Sequence, residues 1–291
     1  MAATATALPP CSITDSSRGD VKAGAPPIVE FKGVAKTFLP GTTKAFTAIR
    51  DGTFCVEDVE GHGEFIAILG PSGCGKSTVL RLIAGLAPHY PPTSGEVLLA
   101  GKPIAGPGPD RGMVFQDYTS FDNRTVLDNV AFGLECRGVP KRERYELAKE
   151  WIAKVKLNPT RDGYKYPHQL SGGMRQRVAI ARTLILKPSV ILMDEPFGAL
   201  DPATRHNMQD LLIELWREVQ ATVFFITHDI NEAVFLGDRC YIFSNSPGTI
   251  LHQFRIAPPD RPARLIIREK SFLDTVYHVR DILDGLEEGK T

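Results

Sequence analysis

The sequence predicts an α/β fold built on a mainly parallel sheet, and three observations predict it. Two apolar runs, Val190-Ile191-Leu192-Met193 and Val223-Phe224-Phe225-Ile226, have strand length and no polar alternation, the pattern of strands covered on both faces. A further run, Phe65-Ile66-Ala67-Ile68-Leu69, passes through a Gly-rich turn into a helical pattern of Val79, Leu80, Leu82 and Ile83. The composition, 43% hydrophobic and 23% charged over 291 residues, is that of a globular chain long enough to bury a sizeable core.

Taken in order, residues 1–27 are rich in Ala, Thr, Ser, Gly and Pro and read as a disordered tail. They lack the basic segment followed by an apolar one that marks a signal peptide. Strand-like runs follow at 28–31, 53–56 and 65–69, and Gly85 and Pro88 punctuate the helix after the last of them. Further strands are expected at 96–99, 112–115, 190–193, 221–227, 240–243 and 249–254. Between 117 and 170 strands vanish and charged helical sequence takes over, notably at 141–156, so this stretch reads as a helical insert. Residues 257–264 are rich in Pro and Arg; a short amphipathic helix follows, with Phe272, Val276, Val279, Ile282 and Leu283 on one side.

Lys+Arg and Asp+Glu both number 34, and a net charge of zero argues against a dedicated nucleic-acid binder. No stretch reaches the ~18 uninterrupted apolar residues of a membrane span; the most apolar region, 178–193, is broken by Arg182, Lys187 and Pro188. Work at a membrane would therefore proceed from one side, with a partner. Cys11, Cys55, Cys74, Cys136 and Cys240 form no CxxC pair, so neither a zinc site nor a disulfide framework is indicated, and a reducing cytoplasm fits.

The central motif is Gly70-Pro71-Ser72-Gly73-Cys74-Gly75-Lys76-Ser77-Thr78, a GxxxxGK[ST] phosphate loop between a strand and a helix. The glycines let the backbone curl so that successive N–H groups point at phosphate oxygens, and the following helix adds its N-terminal partial charge. Lys76 is expected to reach the β- and γ-phosphates and Ser77 to bind Mg²⁺. Downstream, an apolar strand ends in Asp194-Glu195-Pro196. Asp194 is placed to hold Mg²⁺ directly or through water, and Glu195 to polarise an attacking water. Acids that merely end a strand are the plainer alternative.

Leu170-Ser171-Gly172-Gly173-Met174-Arg175-Gln176-Arg177 resembles the signature motif of ABC (ATP-binding cassette) ATPases, with Met174 where Gln is commonest. From the residues alone, Ser171 reads as a helix N-cap. The resemblance implies that Ser171, Gly172 and Gly173 cap the γ-phosphate of an ATP held by the opposite subunit. It extends, in the family's order, to Gln116 as the Q-loop glutamine that touches Mg²⁺ and water, Asp201 of a D-loop at the dimer interface, His228 as the switch histidine on the γ-phosphate, and Phe38 stacking on adenine. It covers about 28–254. Narrower details, 109–116, 125–130, Met174 and the C-terminal helix, resemble the ATPases of nitrate, sulfonate, taurine and bicarbonate importers; Asp122-Asn123-Arg124 stand where those often carry a Pro-Trp pair.

The resemblance implies a P-loop NTPase of ABC nucleotide-binding type over 28–256: a mainly parallel RecA-like core sheet, an antiparallel β subdomain, and a helical subdomain inserted at about 117–170. Residues 257–291 would form a C-terminal extension. It implies an ATP-hydrolysing importer subunit for a small anion or sulfonate-type solute, with ATP and Mg²⁺ as cofactors. The expected partners are a second copy or a related cassette, integral-membrane permease subunits and, indirectly, a periplasmic or extracellular solute-binding protein, but no nucleic acid. The expected location is the cytoplasmic face of the cell membrane. A soluble ABC ATPase of translation or DNA repair is the alternative, but such proteins tend to carry two cassettes or a long coiled-coil insert. A P-loop small-molecule kinase would leave 170–173 and His228 unexplained, and family exporters frequently fuse a membrane domain to the cassette.

Overall fold

A computed structural model describes residues 24–59, 61, 63–117, 119–256 and 261–287. Most of the expected tail at 1–27, and half of the Pro- and Arg-rich stretch, lie outside the described residues. The chain forms two compact units, one made of residues up to 108 and from 222 onward, the other of 109–221. The first opens with β1 (Val29–Phe38), β2 (Phe46–Val56), β3 (Phe65–Leu69), α1 (Lys76–Ala84), β4 (Ser94–Leu99) and β5 (Lys102–Pro103). The second holds β6 (Arg111–Val114), α2 (Val126–Cys136), α3 (Lys141–Lys154), a 3-10 turn (Pro167–Gln169), α4 (Gly172–Leu184), β7 (Val190–Asp194) and α5 (Pro202–Val219). The chain then returns to the first unit with β8 (Thr222–Ile226), α6 (Ile230–Leu236), β9 (Arg239–Phe243), β10 (Ile250–Arg255), α7 (Ala263–Ile266) and α8 (Lys270–Glu287).

In the first unit β3 lies between β8 and β9 and runs parallel to both, pairing Phe65 with Val223 and Ile66 with Arg239. Every residue of β3, β8 and β9 is buried, which explains why β3 and the 223–226 stretch of β8 read as unbroken apolar runs. β10 closes one edge antiparallel to β9. A separate antiparallel sheet runs in the order β2-β1-β4-β5. Its β1 and β2 are longer than the sequence predicts: β1 continues to Phe38, and β2 begins at Phe46. The register slips between Phe31 and Val34, Val34 and Lys36, and Lys36 and Thr37, so these bulges break the two-residue alternation by which a strand is read.

In the second unit β6 pairs parallel with β7, and α2 packs against α3 and α4. Between 117 and 170 the described residues carry helices and no strand. The N-terminus of α2 is secured by Thr125, whose Oγ1 accepts the Asp128 N–H, and by the 158–165 loop: Val126 N–H donates to the Lys165 carbonyl and Leu127 N–H to the Gly163 carbonyl, both at 2.8 Å. That loop is built around Asp162. Its carboxylate, 1% exposed, accepts from Arg161 Nε and Nη2 (3.0 and 2.9 Å), Lys165 Nζ (2.7 Å) and the Asn158 N–H (3.0 Å). The Arg161 bonds, then those from Lys165, hold the carboxyl well below the usual carboxylate range. A depressed folded-state pKa stabilises the fold at any pH above the unfolded value of about 4, and the gain is lost as pH falls from there toward the folded value. Asp162→Asn is expected to lower stability by about 1–3 kcal/mol at neutral pH, with a smaller difference from the parent chain below pH 4; thermal melts across pH check both.

The C-terminal helix is longer than expected. The 18-residue α8 turns Phe272, Val276, Val279 and Leu286 inward, packs on α6, and receives at its Leu286 carbonyl a bond from Asn245 Nδ2 at 3.0 Å. Cys74, Cys136 and Cys240 are free thiols. Cys55 is disulfide-bonded, against the expectation of reduced cysteines throughout.

Candidate functional site

The phosphate loop leaves β3 at Leu69 and enters α1 through Gly75, which caps the helix in a left-handed conformation, φ 100°. A Cβ at Gly75 would lie 2.6 Å from the Ala48 carbonyl oxygen and 2.7 Å from Ile49 Cδ1, so only glycine lets the loop approach β2 this closely. Lys76, 8% exposed, donates from Nζ to the carbonyls of Gly70 at 2.7 Å and Pro71 at 2.8 Å. Its charge is thereby held inside the loop, at the N-terminus of α1, where partial positive charge and free N–H groups already favour an anion. Ser77 and Thr78 follow in the first turn of the helix. The Cys74 thiol is buried in the loop, and burial pushes its pKa up.

The sequence gives no motif for the element behind this loop. The turn between β9 and β10 reaches β2, with Gly248 N–H donating to the Ala48 carbonyl at 2.9 Å and Arg50 N–H to the Gly248 carbonyl at 3.1 Å. A Cβ at Gly248 would overlap the Cys74 carbonyl oxygen. Gly248→Ala must push that carbonyl and rotate the Cys74–Gly75 peptide, whose N–H belongs to the loop. Overpacking of this kind costs about 1–3 kcal/mol of stability, and nucleotide affinity should fall because the rotated peptide turns the Gly75 N–H away from the phosphates. Titration with a fluorescent ATP analogue, alongside a thermal melt, checks this.

Phe38, at the end of β1, is half-buried. His89 stands edge-on to its ring at 5.2 Å, and the Lys36 ammonium lies 5.4 Å from the ring centre. Lys36 Nζ also donates to the Pro91 carbonyl at 2.8 Å, and Arg81 donates to His89 Nε2 at 3.3 Å. Burial, then the charges of Arg81 and Lys36, holds the His89 pKa below its ordinary value. His228 lies two residues beyond the end of β8, after the buried Thr227, and is exposed.

The second unit carries the other expected residues. Asp194 is the buried last residue of β7, 4% exposed. Glu195 follows it in a left-handed backbone conformation, φ 47°, unusual for a residue with a side chain. Gln116 Nε2 donates to Glu195 Oε2 at 3.3 Å, so two residues identified separately meet here. Ser171 is the N-cap of α4, its Oγ accepting the Met174 N–H at 3.3 Å, and Gly172 and Gly173 form the first turn. Asp201 caps α5 by accepting the Thr204 N–H at 3.0 Å, and hydrogen bonds from the Thr204 side chain, then from its backbone, hold the carboxyl below its ordinary pKa.

Beside Gln116 lies a cavity of about 380 Å³ lined by Met113, Phe115, Phe121, Phe132, Arg182 and Leu186, among others. Arg182 donates to Thr119 and stacks over Phe121, and Arg124 stacks over Phe132, at 4.8 Å from the ring centre, while pairing with Glu135. The wall is therefore aromatic and cationic.

A parallel strand, a glycine-braced loop and a helix opening at a buried lysine define a nucleotide-binding protein of the P-loop class. Residues 59–198 match the ABC transporter family. An uncharacterised ABC transporter ATP-binding protein of Methanocaldococcus jannaschii is 50% identical over 227 residues, 78% of this chain and 81% of its own. The nitrate import ATP-binding protein NrtD of Synechocystis sp. is 43% identical over 258 residues, 85% of this chain and 95% of its own. The taurine import ATP-binding protein TauB of Escherichia coli is 50% identical over 191 residues, covering 66% and 73%. Among solved structures, a dimeric ATP-binding cassette in a post-hydrolysis state bound to ADP and Pi superposes with a TM-score of 0.66 at 34% identity, over 79% of this chain and 99% of that one. The chain belongs to the ABC transporter family and is one of its ATP-binding, ATP-hydrolysing cassettes.

Proposed function

We propose that this protein is the ATPase subunit of an ABC importer and energises uptake of a small anion or sulfonate-type solute through a separate permease. The similarity to a nitrate import ATP-binding protein over 95% of that protein's length carries the reading. Two copies, or one copy and a related cassette, sandwich two ATP molecules, each γ-phosphate lying between Lys76 of one chain and Ser171, Gly172 and Gly173 of the other. Such a phosphate gains charge-assisted hydrogen bonds from both chains only when the pair is closed, so ATP holds the dimer together and hydrolysis releases it. Gly70 to Thr78 cradle the phosphates, Phe38 meets the adenine, and Asp201 lies at the dimer interface.

Ser77, Gln116 and Asp194 offer a hydroxyl, an amide and a carboxylate, the hard oxygen donors that suit Mg²⁺. Among the described residues no cluster of three His, Cys, Asp or Glu side chains could hold a metal ion. Held by Ser77, Gln116 and Asp194, the cation would neutralise phosphate charge. Glu195 polarises the attacking water, Gln116 orients it, and His228 contacts the γ-phosphate.

The aromatic and cationic groove beside Gln116 is the surface assigned to the permease, and it couples nucleotide state to the membrane. Among the described residues no helix is long and apolar enough to cross a membrane. In this reading the chain acts at the cytoplasmic face, against the permease. A solute-binding protein outside the membrane would select the cargo. The test is affinity purification of the full chain from its own host membranes, followed by reconstitution with what it captures. A polytopic permease and ATP-dependent solute uptake are expected. Capture of ribosomes or DNA instead, with no uptake, would overturn the reading in favour of a soluble ABC ATPase.

A further inference from the structure

We propose that Glu232 is a positioning residue for His228, acting through Thr227. Glu232 lies in the first turn of α6 and is 4% exposed, although a buried carboxylate is costly unless it is paired. Its Oε2 accepts the hydroxyl proton of Thr227, itself 2% exposed, at 2.6 Å, a distance typical of a charge-assisted bond. A threonine hydroxyl has one proton to give. With that proton committed to Glu232, the oxygen lone pairs face elsewhere, and Thr227 Oγ1 accepts the Asp229 N–H at 3.0 Å. The turn is tied at both ends. Thr227 N–H donates to the Ile68 carbonyl at 3.3 Å on β3, and Asp229 Oδ1 accepts the Asn231 N–H at 2.8 Å on α6. Between these two fixed residues His228 stands exposed.

The carboxylate thus fixes the hydroxyl rotor, the hydroxyl fixes the backbone on the far side of His228, and the imidazole projects from a turn with little freedom. Misplacement of a catalytic group by about 1 Å can cost on the order of 10²-fold in rate, so a locked turn here has kinetic weight. The inference rests on the reading that His228 contacts the γ-phosphate.

Steady-state ATP hydrolysis by the full chain, with a thermal melt for each variant, tests it. Thr227→Val and Glu232→Ala should each lower kcat by roughly 10- to 100-fold, with KM for ATP changed far less. Thr227→Ser, which keeps the hydroxyl, and Glu232→Gln, which keeps an acceptor, should recover most of the rate. In a His228→Ala background, Thr227→Val should have no further effect, because the group it positions is gone. A purely structural role for the pair would instead lower melting temperature and would still add to His228→Ala. Should Glu232→Ala not fold, the Thr227→Val and Thr227→Ser pair decides alone. Wild-type kcat in Thr227→Val, or an effect that adds fully to His228→Ala, overturns the proposal while leaving the role of His228 intact. Wild-type turnover in His228→Ala itself would overturn both.

Discussion

Glu195→Gln is expected to bind ATP as the parent chain does and to hydrolyse it about 10²- to 10⁴-fold more slowly, the span a positioned general base supplies. The substitution is nearly isosteric, and the acceptor for Gln116 Nε2, now 3.3 Å from Glu195 Oε2, survives as the amide oxygen. What disappears is the negative charge that draws a proton from water. The strained backbone at this residue, φ 47°, is unchanged by the swap, so lost rate reports chemistry rather than a rebuilt turn. With hydrolysis blocked, ATP remains in place and the closed pair of chains should accumulate. Phosphate release measures the first consequence, and light scattering with and without ATP and Mg²⁺ the second. Turnover at the parent rate would remove Glu195 from the proposed chemistry. A strictly monomeric variant under saturating nucleotide would remove the shared phosphate site.

What was readable in the sequence was mostly local. The strand at Phe65–Leu69, the turn after it and the helix from Lys76 are encoded within a short stretch, and the structure reproduces that strand residue for residue. β7 and β8 were legible because burial on both faces leaves four apolar residues in a row in each, 190–193 and 223–226. The bulged β1 was legible only in part, since each register slip shifts which residues face inward. Contacts across sequence were not legible from local pattern, and only the family resemblance set Gln116 and Glu195 at the same water. Gln116 and Glu195 were each identified, but nothing local says that residues 79 apart share a hydrogen bond. Gly248 reads as an ordinary turn glycine after a proline, and its role behind the phosphate loop exists only once the β9–β10 turn is laid against Ala48 and Cys74. Glu232 reads as a polar residue of a helix, and only its burial against Thr227 gives it a function to serve.

Lys76→Ala is the other substitution with a large expected effect, on binding rather than turnover. The ammonium is 8% exposed and bonded to two loop carbonyls, Gly70 at 2.7 Å and Pro71 at 2.8 Å. An anion brought to the loop meets a cation whose hydration has already been replaced by fixed dipoles, so little reorganisation opposes the phosphate contact. A hydrogen bond to a charged group contributes about 1.5–3 kcal/mol. Losing one such bond on each of two phosphate groups would weaken affinity by about 10²- to 10⁴-fold. Gly70 and Pro71 remain partly exposed, so water can satisfy their carbonyls and the fold should survive. Lys76→Arg separates charge from shape: the planar guanidinium keeps the charge but is too broad for a site enclosed to this degree, and it should restore only a fraction of the affinity. Isothermal titration with ATP and with ADP measures all three chains. Affinity in Lys76→Ala equal to that of the parent would mean that this loop does not hold the phosphates, and the assignment of the nucleotide site would have to be abandoned.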